Sequence, residues 1–299
     1  MPSTRFRRRP PPEGSSPDAA KVAMTRDDFD QIREVVHDSF GISLSTAKFP
    51  LVRARLQGIL RERRIESASE YIDQFLAKPS AEAMSELADA ITTNHTYFWR
   101  ENAHFTDLLE RVIPEWMRKR AETRAVKPSL RIWCAAASTG QEPYTLAALV
   151  RLGLGSAFDR WDTGVLATDI SARALDVARR GVYSSAEVQP LPERVRRALF
   201  DQRGSDFDVR QDIRSDVLYR RLNLLGEWKF RQNFEVIFAR NVMIYFNEET
   251  RMHVARALAK DLRPGGTLYV GLSESLGPNP PGLKAVAPAI YRRTDEVLP

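Results

Sequence analysis

The sequence predicts an α/β protein in two parts: a small all-helical N-terminal unit, then a unit built on a mostly parallel sheet and interrupted by an insertion. Three observations carry this. Apolar residues recur at helical spacing through residues 25–89, strand-like and helical patterns alternate from residue 130, and that alternation pauses over a charged, weakly patterned stretch before resuming at residue 234. At roughly 150 residues per domain, the 299 residues fit two units.

Residues 1–24 carry Arg5, Arg7, Arg8 and Arg9, three consecutive prolines and almost no large apolar residue, the composition of a disordered, solvated basic tail. Thr25 can cap a helix with Phe29, Ile32, Val35 and Val36 on one face, ended by Gly41. Pro50 suits a first helical turn. After it, Val52, Leu56, Ile59 and Leu60 form an apolar stripe flanked by Arg53, Arg61 and Arg64. Residues 70–75 and 81–91 continue the helical pattern, so a helical unit is expected over 25–90, a linker and helix over 91–128, and the α/β unit over 129–299. There, residues 130–136 read as a buried strand, 143–152 as a helix, 164–168 as a strand and 171–180 as a helix capped by Ser171. The pause spans 184–216; strand-like 234–239 follows, and the turn Arg263-Pro-Gly-Gly266 leads into a strand over 267–272. Ligands of such sheets bind beyond the carboxyl ends of the strands.

A composition of 43% hydrophobic and 28% charged residues is that of a soluble globular protein, and no apolar run approaches the roughly 18 to 20 residues of a membrane span. The Arg-rich start lacks the apolar core of a signal peptide, so a cytoplasmic protein without membrane insertion is expected. The single cysteine, Cys134, excludes an internal disulfide and cannot supply a clustered zinc site. No metal is expected, since His37, His95, His104 and His253 form no cluster in the sequence. The net charge of +6 is a modest excess that informs partners rather than fold.

The loop Ala137-Ser-Thr-Gly-Gln-Glu-Pro143 has one glycine and no lysine, so it matches neither the dinucleotide turn nor the triphosphate cradle. It brings Glu142 to the mouth of the sheet, where the next strand ends in Asp169, an acid that in doubly wound folds accepts hydrogen bonds from ribose. Two carboxylates suit a ligand with a ribose and a positive charge, such as S-adenosylmethionine. Glu142 can equally be a helix-start charge facing the macrodipole, and Asp169 a cap or turn residue. Upstream, TTNHTYFWR (92–100) interleaves polar and aromatic residues. Aromatic faces attract a sulfonium, and Asn94, Thr96 and Arg100 can orient carboxylates; alternatively, Tyr97, Phe98 and Trp99 are interdomain core. ARNVMIYF (239–246) ends another strand, and lacks the [DN]-P-P-[YF] arrangement of base amino-group methyltransferases, so a nucleobase nitrogen is a poor acceptor.

TTNHTYFWR, RIWCAAASTGQEPY, LATDIS, RLNLL, ARNVMIYF and LRPGGTLYVGLSESL occur in the order and context of the CheR-type chemotaxis receptor methyltransferases, which the chain resembles over residues 25–293. The resemblance implies a class I S-adenosylmethionine-dependent methyltransferase (Rossmann-like) domain, a small all-helical N-terminal domain and an inserted β-subdomain at about 184–219. It implies that Asn94, Thr96, Arg100, Glu142 and Asp169 contact the cofactor, with Asn223 and Leu224 near adenine and Asn241 and Val242 beside the pocket. Arg100 and Tyr245 would lie closest to the transferred methyl and orient the acceptor. Three positions depart from the family pattern: His95 and Trp99 replace the usual glutamate and phenylalanine of N-E-T-x-F-F-R, and Gln141 the first glutamate of G-E-E-P. His95 is expected in a solvent-facing or packing role, outside the site.

The implied reaction methylates glutamate carboxylates on the cytoplasmic domains of chemoreceptors, leaving S-adenosylhomocysteine. A glutamate with a pKa of about 4.3 is already ionised, so positioning and exclusion of water would do the work without a base. A monomer that does not bind nucleic acid is expected. Arg53, Arg61 and Arg64 would dock acidic receptor helices or form a solvated face, and in the family the insertion can bind a receptor's C-terminal pentapeptide. Two other readings stand beside this one: a different class I methyltransferase acting on another protein or small acid, and a non-catalytic S-adenosylmethionine-sensing module.

Overall fold

A computed structural model describes residues 24–122, 128–278 and 280–294. The tail expected at 1–24 lies outside them except for Met24. The helical unit comprises α1 (Arg26–Phe40), α2 (Phe49–Arg63), α3 (Ala68–Tyr71) and α4 (Ala81–Ile91). Thr25 and Asp28 form a reciprocal capping box at the start of α1, and Gly41 closes it at φ 68°. Pro50 sits in the first turn of α2, where its missing N–H costs nothing. Phe29, Ile32, Val36, Leu56, Leu60 and Leu87 bury into one core, each worth about 1.5–3 kcal/mol. Next, α5 (Ala103–Asp107) and α6 (Ile113–Glu122), joined by a wider helical turn over Leu108–Val112, press Phe105, Leu108 and Ile113 onto the sheet.

The remaining helices are α7 (Gln141–Leu154), α8 (Ala172–Arg180), α9 (Ser185–Val188), α10 (Glu193–Leu199), α11 (Gln211–Ser215) and α12 (Glu248–Asp261). The strands are β1 (Ser129–Cys134), β2 (Asp162–Asp169), β3 (Val182–Ser184), β4 (Phe200–Arg203), β5 (Asp206–Val209), β6 (Val217–Arg221), β7 (Phe234–Ala239), β8 (Leu262–Val270), β9 (Leu283–Ala287) and β10 (Ile290–Arg293). Seven form one sheet in the order β6-β2-β1-β7-β8-β10-β9. The first five are parallel, and β10 runs antiparallel to both neighbours. Alternate residues of β1, with Ala135 just after it, and of β7 enter two cores: Ile132, Cys134, Val236 and Phe238 pack on one face, Trp133, Ala135, Ile237 and Ala239 on the other. Burial on both faces explains why these strands are mostly apolar rather than alternating, with Arg131 and Glu235 as the interruptions. The result is the expected Rossmann-like class, and the order reverses between β1 and β7, opening a crevice at their carboxyl ends.

β3, β5 and β4 form a separate three-stranded antiparallel sheet. The insertion expected at about 184–219 is therefore bounded differently: its first strand starts at Val182, and residues 217–219 belong to β6, paired with β2. β6 escapes the apolar pattern because it is an edge strand whose Leu218 is 50% exposed. Within β8 the register with β7 steps from Phe234↔Leu262 to Val236↔Thr267, so the anticipated turn at 263–266 is a bulge inside a longer strand. Among the described residues no helix is long and apolar enough to cross a membrane.

Candidate active site

The carboxyl ends of β1, β2 and β7 open onto a cavity of about 1270 Å³, its open mouth included. Phe40, Ile42, Leu44 and Leu51 of the helical unit wall it on the other side. Main-chain bonds hold that unit in place: Ile42 bridges Phe246, and the Ser43 N–H donates to the Tyr245 carbonyl at 2.8 Å. Asn94, Thr96, Arg100, Glu142, Asp169, Asn223, Leu224, Asn241, Val242 and Tyr245 all line the cavity. Arg53, Arg61 and Arg64 do not. They lie along or just past α2, with Arg53 beside the Phe49 ring at 5.9 Å and the other two exposed. At 1.5 Å per residue, Arg61 lies about 15 Å along the helix from the cavity-lining Leu51.

Asp169 ends β2 and is buried. Its Oδ2 accepts the Ser138 N–H at 2.8 Å and its Oδ1 the Ser171 N–H at 2.9 Å. Burial pushes its carboxyl above the usual range, with these hydrogen bonds opposing the shift. A carboxylate offers about four lone-pair sites, so acceptor capacity is left toward the cavity. The Ser138 hydroxyl donates to the Asn94 carbonyl at 3.0 Å, which ties the 92–100 segment to the loop after β1. Gly140, at φ 98°, leaves no room for a side chain: a Cβ would meet the Tyr183 hydroxyl at 2.7 Å. That hydroxyl donates to the Thr139 carbonyl at 2.8 Å, so β3 of the small sheet props the loop.

Glu142 stands in the first turn of α7. Its Oε2 accepts from Arg240 Nη1 at 2.6 Å, and its Oε1 from Cys134 Sγ at 3.2 Å. Burial pushes the Cys134 thiol well up, keeping it a neutral donor. Glu142 is thus a helix-start acid that also borders the cavity.

The aromatic segment divides. Tyr97 is 48% exposed and lines the cavity, with the Arg100 guanidinium 5.8 Å from its ring centre. Phe98 is fully buried, edge-on to Tyr183 at 4.8 Å and Phe200 at 5.5 Å, and Trp99 stacks on Phe105 at 5.2 Å. Core packing is thus the role of Phe98 and Trp99, and the cavity face belongs to Tyr97. Arg100 Nη1 donates to the His95 carbonyl at 3.0 Å, while its Nη2 has no partner among the described residues. His95 is exposed and also lines the cavity. Gln141 is buried, and its Oε1 accepts from the Thr139 hydroxyl at 2.8 Å.

Sequence reasoning missed three groups. Glu274 is buried, and its Oε2 accepts the N–H groups of Asn241, at 2.8 Å, and Gly271; its Oε1 accepts that of Ile244 at 3.1 Å. Burial raises its carboxyl above the usual range. Glu101 accepts from the Asn241 amide at 3.0 Å, the Leu272 N–H at 3.0 Å and Arg240 Nη2 at 3.2 Å. Burial works to raise its carboxyl, but those donors bring it below the usual range. Arg240 is the third group. Glu274 lies inside the quoted LSESL and Arg240 inside ARNVMIYF, but only the fold brings them together. Among the described residues, four of the six non-glycine positions with positive φ, Trp99, Glu101, Ser138 and Asn241, occur in these segments around the cavity. Such backbone costs of order 1–3 kcal/mol per residue and persists where surrounding bonds fix it.

The donor set fits S-adenosylmethionine. A buried acid with spare acceptor capacity suits ribose hydroxyls, the apolar sides of Ile170, Leu224 and Val242 suit a flat base, and Asn94, Thr96 and Arg100 suit a carboxylate. Among the described residues no cluster of histidine, cysteine or acid could hold a metal.

Residues 94–289 match the family described as "CheR methyltransferase, SAM binding domain", and residues 27–92 match "CheR methyltransferase, all-alpha domain". A chemotaxis protein methyltransferase of Borreliella burgdorferi is 34% identical over 275 residues, covering 91% of this chain and 96% of that protein. Chemotaxis protein methyltransferase 2 of Pseudomonas aeruginosa is 37% identical over 257 residues, covering 84% and 87%. A probable chemotaxis protein methyltransferase of Rhizobium etli is 36% identical over 244 residues, covering 80% and 89%. With both of its units matched in order, the chain belongs to the CheR family of S-adenosylmethionine-dependent chemotaxis methyltransferases.

Proposed function

We propose that the protein transfers the methyl group of S-adenosylmethionine to glutamate side chains on the cytoplasmic domains of chemoreceptors, forming glutamyl methyl esters. One observation carries the reading. The acids of the cavity are already engaged, Glu142 by Arg240 and Asp169 by two N–H groups, whereas Lys48 and Arg100 also line it and Arg100 Nη2 has no partner among the described residues. A cavity with this balance favours an anionic acceptor.

Bound S-adenosylmethionine supplies an electrophilic methyl on a positively charged sulfur. Asp169 accepts hydrogen bonds from its ribose hydroxyls, and Asn223, Leu224 and Val242 flank its base. Asn241 keeps the wall beside the pocket in shape. Asn94 and Thr96 hold the amino-acid end, toward which Glu142 presents its charge. Arg100 and the Tyr245 hydroxyl fix the acceptor carboxylate in line with the methyl. A glutamate with an unperturbed pKa of about 4.3 arrives ionised, so the chain contributes geometry and exclusion of water, the helical unit and the 92–100 segment covering the site. Arg53, Arg61 and Arg64 complement acidic receptor helices.

The test is incubation with methyl-tritiated S-adenosylmethionine and receptor-bearing membranes. Base-labile label on a receptor is the expected result. Label on another protein or a small acid would make this a different methyltransferase, and binding without turnover a sensing module; either outcome overturns the proposal.

A further inference from the structure

We propose that Arg240 is a positioning residue of the methyl-transfer site, a buried clamp that fixes Glu142 and the Arg100 backbone relative to each other and so sets cofactor and acceptor geometry together. The inference rests on the function proposed above.

Arg240 follows directly after β7, and its side chain is 1% exposed although it borders the cavity. A buried guanidinium is tolerated only when paired and hydrogen-bonded. Its partners come from two unconnected segments. Nη1 donates to Glu142 Oε2 at 2.6 Å, at the start of α7; Nη2 donates to the Arg100 carbonyl and to Glu101 Oε2 at 3.2 Å, in the turn before α5. The guanidinium lies beside the stacked pair Phe105 and Phe238, its Cζ 5.2 and 5.9 Å from their ring centres. Among the described residues Nε has no hydrogen-bond partner, so the bonding is concentrated at the two terminal nitrogens.

This geometry uses what distinguishes arginine from lysine. A planar fork spans two acceptors at once, whereas an ammonium is a compact point charge. Without the fork, Glu142 keeps only the Cys134 thiol among its side-chain donors, and the Arg100 carbonyl loses its tether. Two partly buried acids, Glu101 and Glu142, would then lose the cation they share, leaving Glu101 only the more distant Arg100 Nε at 4.0 Å among the described cations. Arg100, proposed to hold the acceptor, would move with its own backbone, so a cofactor-side loss and an acceptor-side loss should appear together.

The test combines kinetics with a double-mutant cycle. Arg240→Lys should raise the KM for S-adenosylmethionine and lower kcat together, the latter by about 10- to 100-fold, the scale of one or two charge-assisted hydrogen bonds. In the cycle, S-adenosylhomocysteine binding is measured calorimetrically for Arg240→Met, Glu142→Gln and the double variant. Arg240→Met should weaken binding about tenfold in the wild-type background and about twofold or less in the Glu142→Gln background, because the two side chains act as a unit. Effects that simply multiply, or a kcat for Arg240→Lys equal to wild type, would overturn the proposal. If Arg240→Met does not fold, Arg240→Lys takes its place in the cycle. Methylation of receptors by the wild-type protein reports on the function separately, since the cycle needs no acceptor.

Discussion

Asp169 offers the sharpest perturbation of cofactor binding. Asp169→Asn keeps the shape of the side chain but replaces one acceptor oxygen with a donor. In the wild type both oxygens are engaged, by Ser138 N–H at 2.8 Å and Ser171 N–H at 2.9 Å, with the remaining lone pairs left for the proposed ribose contact. The amide oxygen can face only one of these N–H groups, so one loop bond is lost in the free protein as well as in the complex. Against that loss stands the burial penalty of the ionised carboxyl, which raises its pKa and which asparagine removes. The two opposing effects are each about 1–3 kcal/mol, so Tm should move by only a few degrees. The ligand, however, loses a charge-assisted hydrogen bond of about 1.5–3 kcal/mol, and its Kd should rise about 10- to 150-fold. Titration calorimetry with S-adenosylhomocysteine, alongside a thermal melt, measures both. Binding within about twofold of wild type would refute the ribose role and the reasoning behind it.

Other outcomes follow from the same geometry. Arg100→Lys or Tyr245→Phe should cut turnover by about tenfold or more, the scale of one positioning hydrogen bond, with a smaller change in S-adenosylhomocysteine affinity; equal losses in both would place these residues on the cofactor alone. Reversing Arg53, Arg61 and Arg64 to glutamate should slow receptor methylation, most strongly at low ionic strength, and leave cofactor affinity intact; unchanged kinetics would dismiss α2 as a docking face. Glu115 gives a stability prediction. Hydrogen bonding to Arg292, and then to Lys119, outweighs burial and lowers its carboxyl to about 2. A depressed folded pKa means that this contribution is present above the unfolded value near 4.5 and is lost as pH falls through about 2. Discounted for solvent screening at a partly exposed pair, it is worth about 1 kcal/mol. Urea unfolding of Glu115→Gln should therefore show that deficit at pH 7 and a smaller one at pH 3; equal deficits at both would be evidence against the pairing.

The sequence was most legible where local chemistry and tertiary burial agree. Thr25 and Gly41 bracket α1 because a side-chain cap and a left-handed residue satisfy helix ends without help from elsewhere. β1 and β7 are mostly apolar because helices cover both faces, and their ends disclosed where ligands should sit. The roles of Tyr97, Phe98 and Trp99 could not be divided beforehand, since Phe98 is buried against Tyr183 and Phe200 of the inserted sheet and Trp99, at φ 66°, stacks on Phe105 of α5. β6 was hidden because an edge strand needs one apolar face only. The β9–β10 hairpin was not anticipated, and the boundaries of the insertion were misplaced because charged residues dominate it. Glu101, Arg240 and Glu274 were invisible as a group: each is an ordinary charged residue until the fold brings it beside Asn241 or Glu142.

A crystal structure of the complex with S-adenosylhomocysteine would be the most direct measurement. The ribose should lie against Asp169, the base beside Leu224 and Val242, and the homocysteine end toward Asn94 and Arg100, with its sulfur directed to the space between Arg100 and Tyr245. A nucleoside bound in the opposite sense, or outside the cavity between the helical unit and the sheet, would contradict this arrangement.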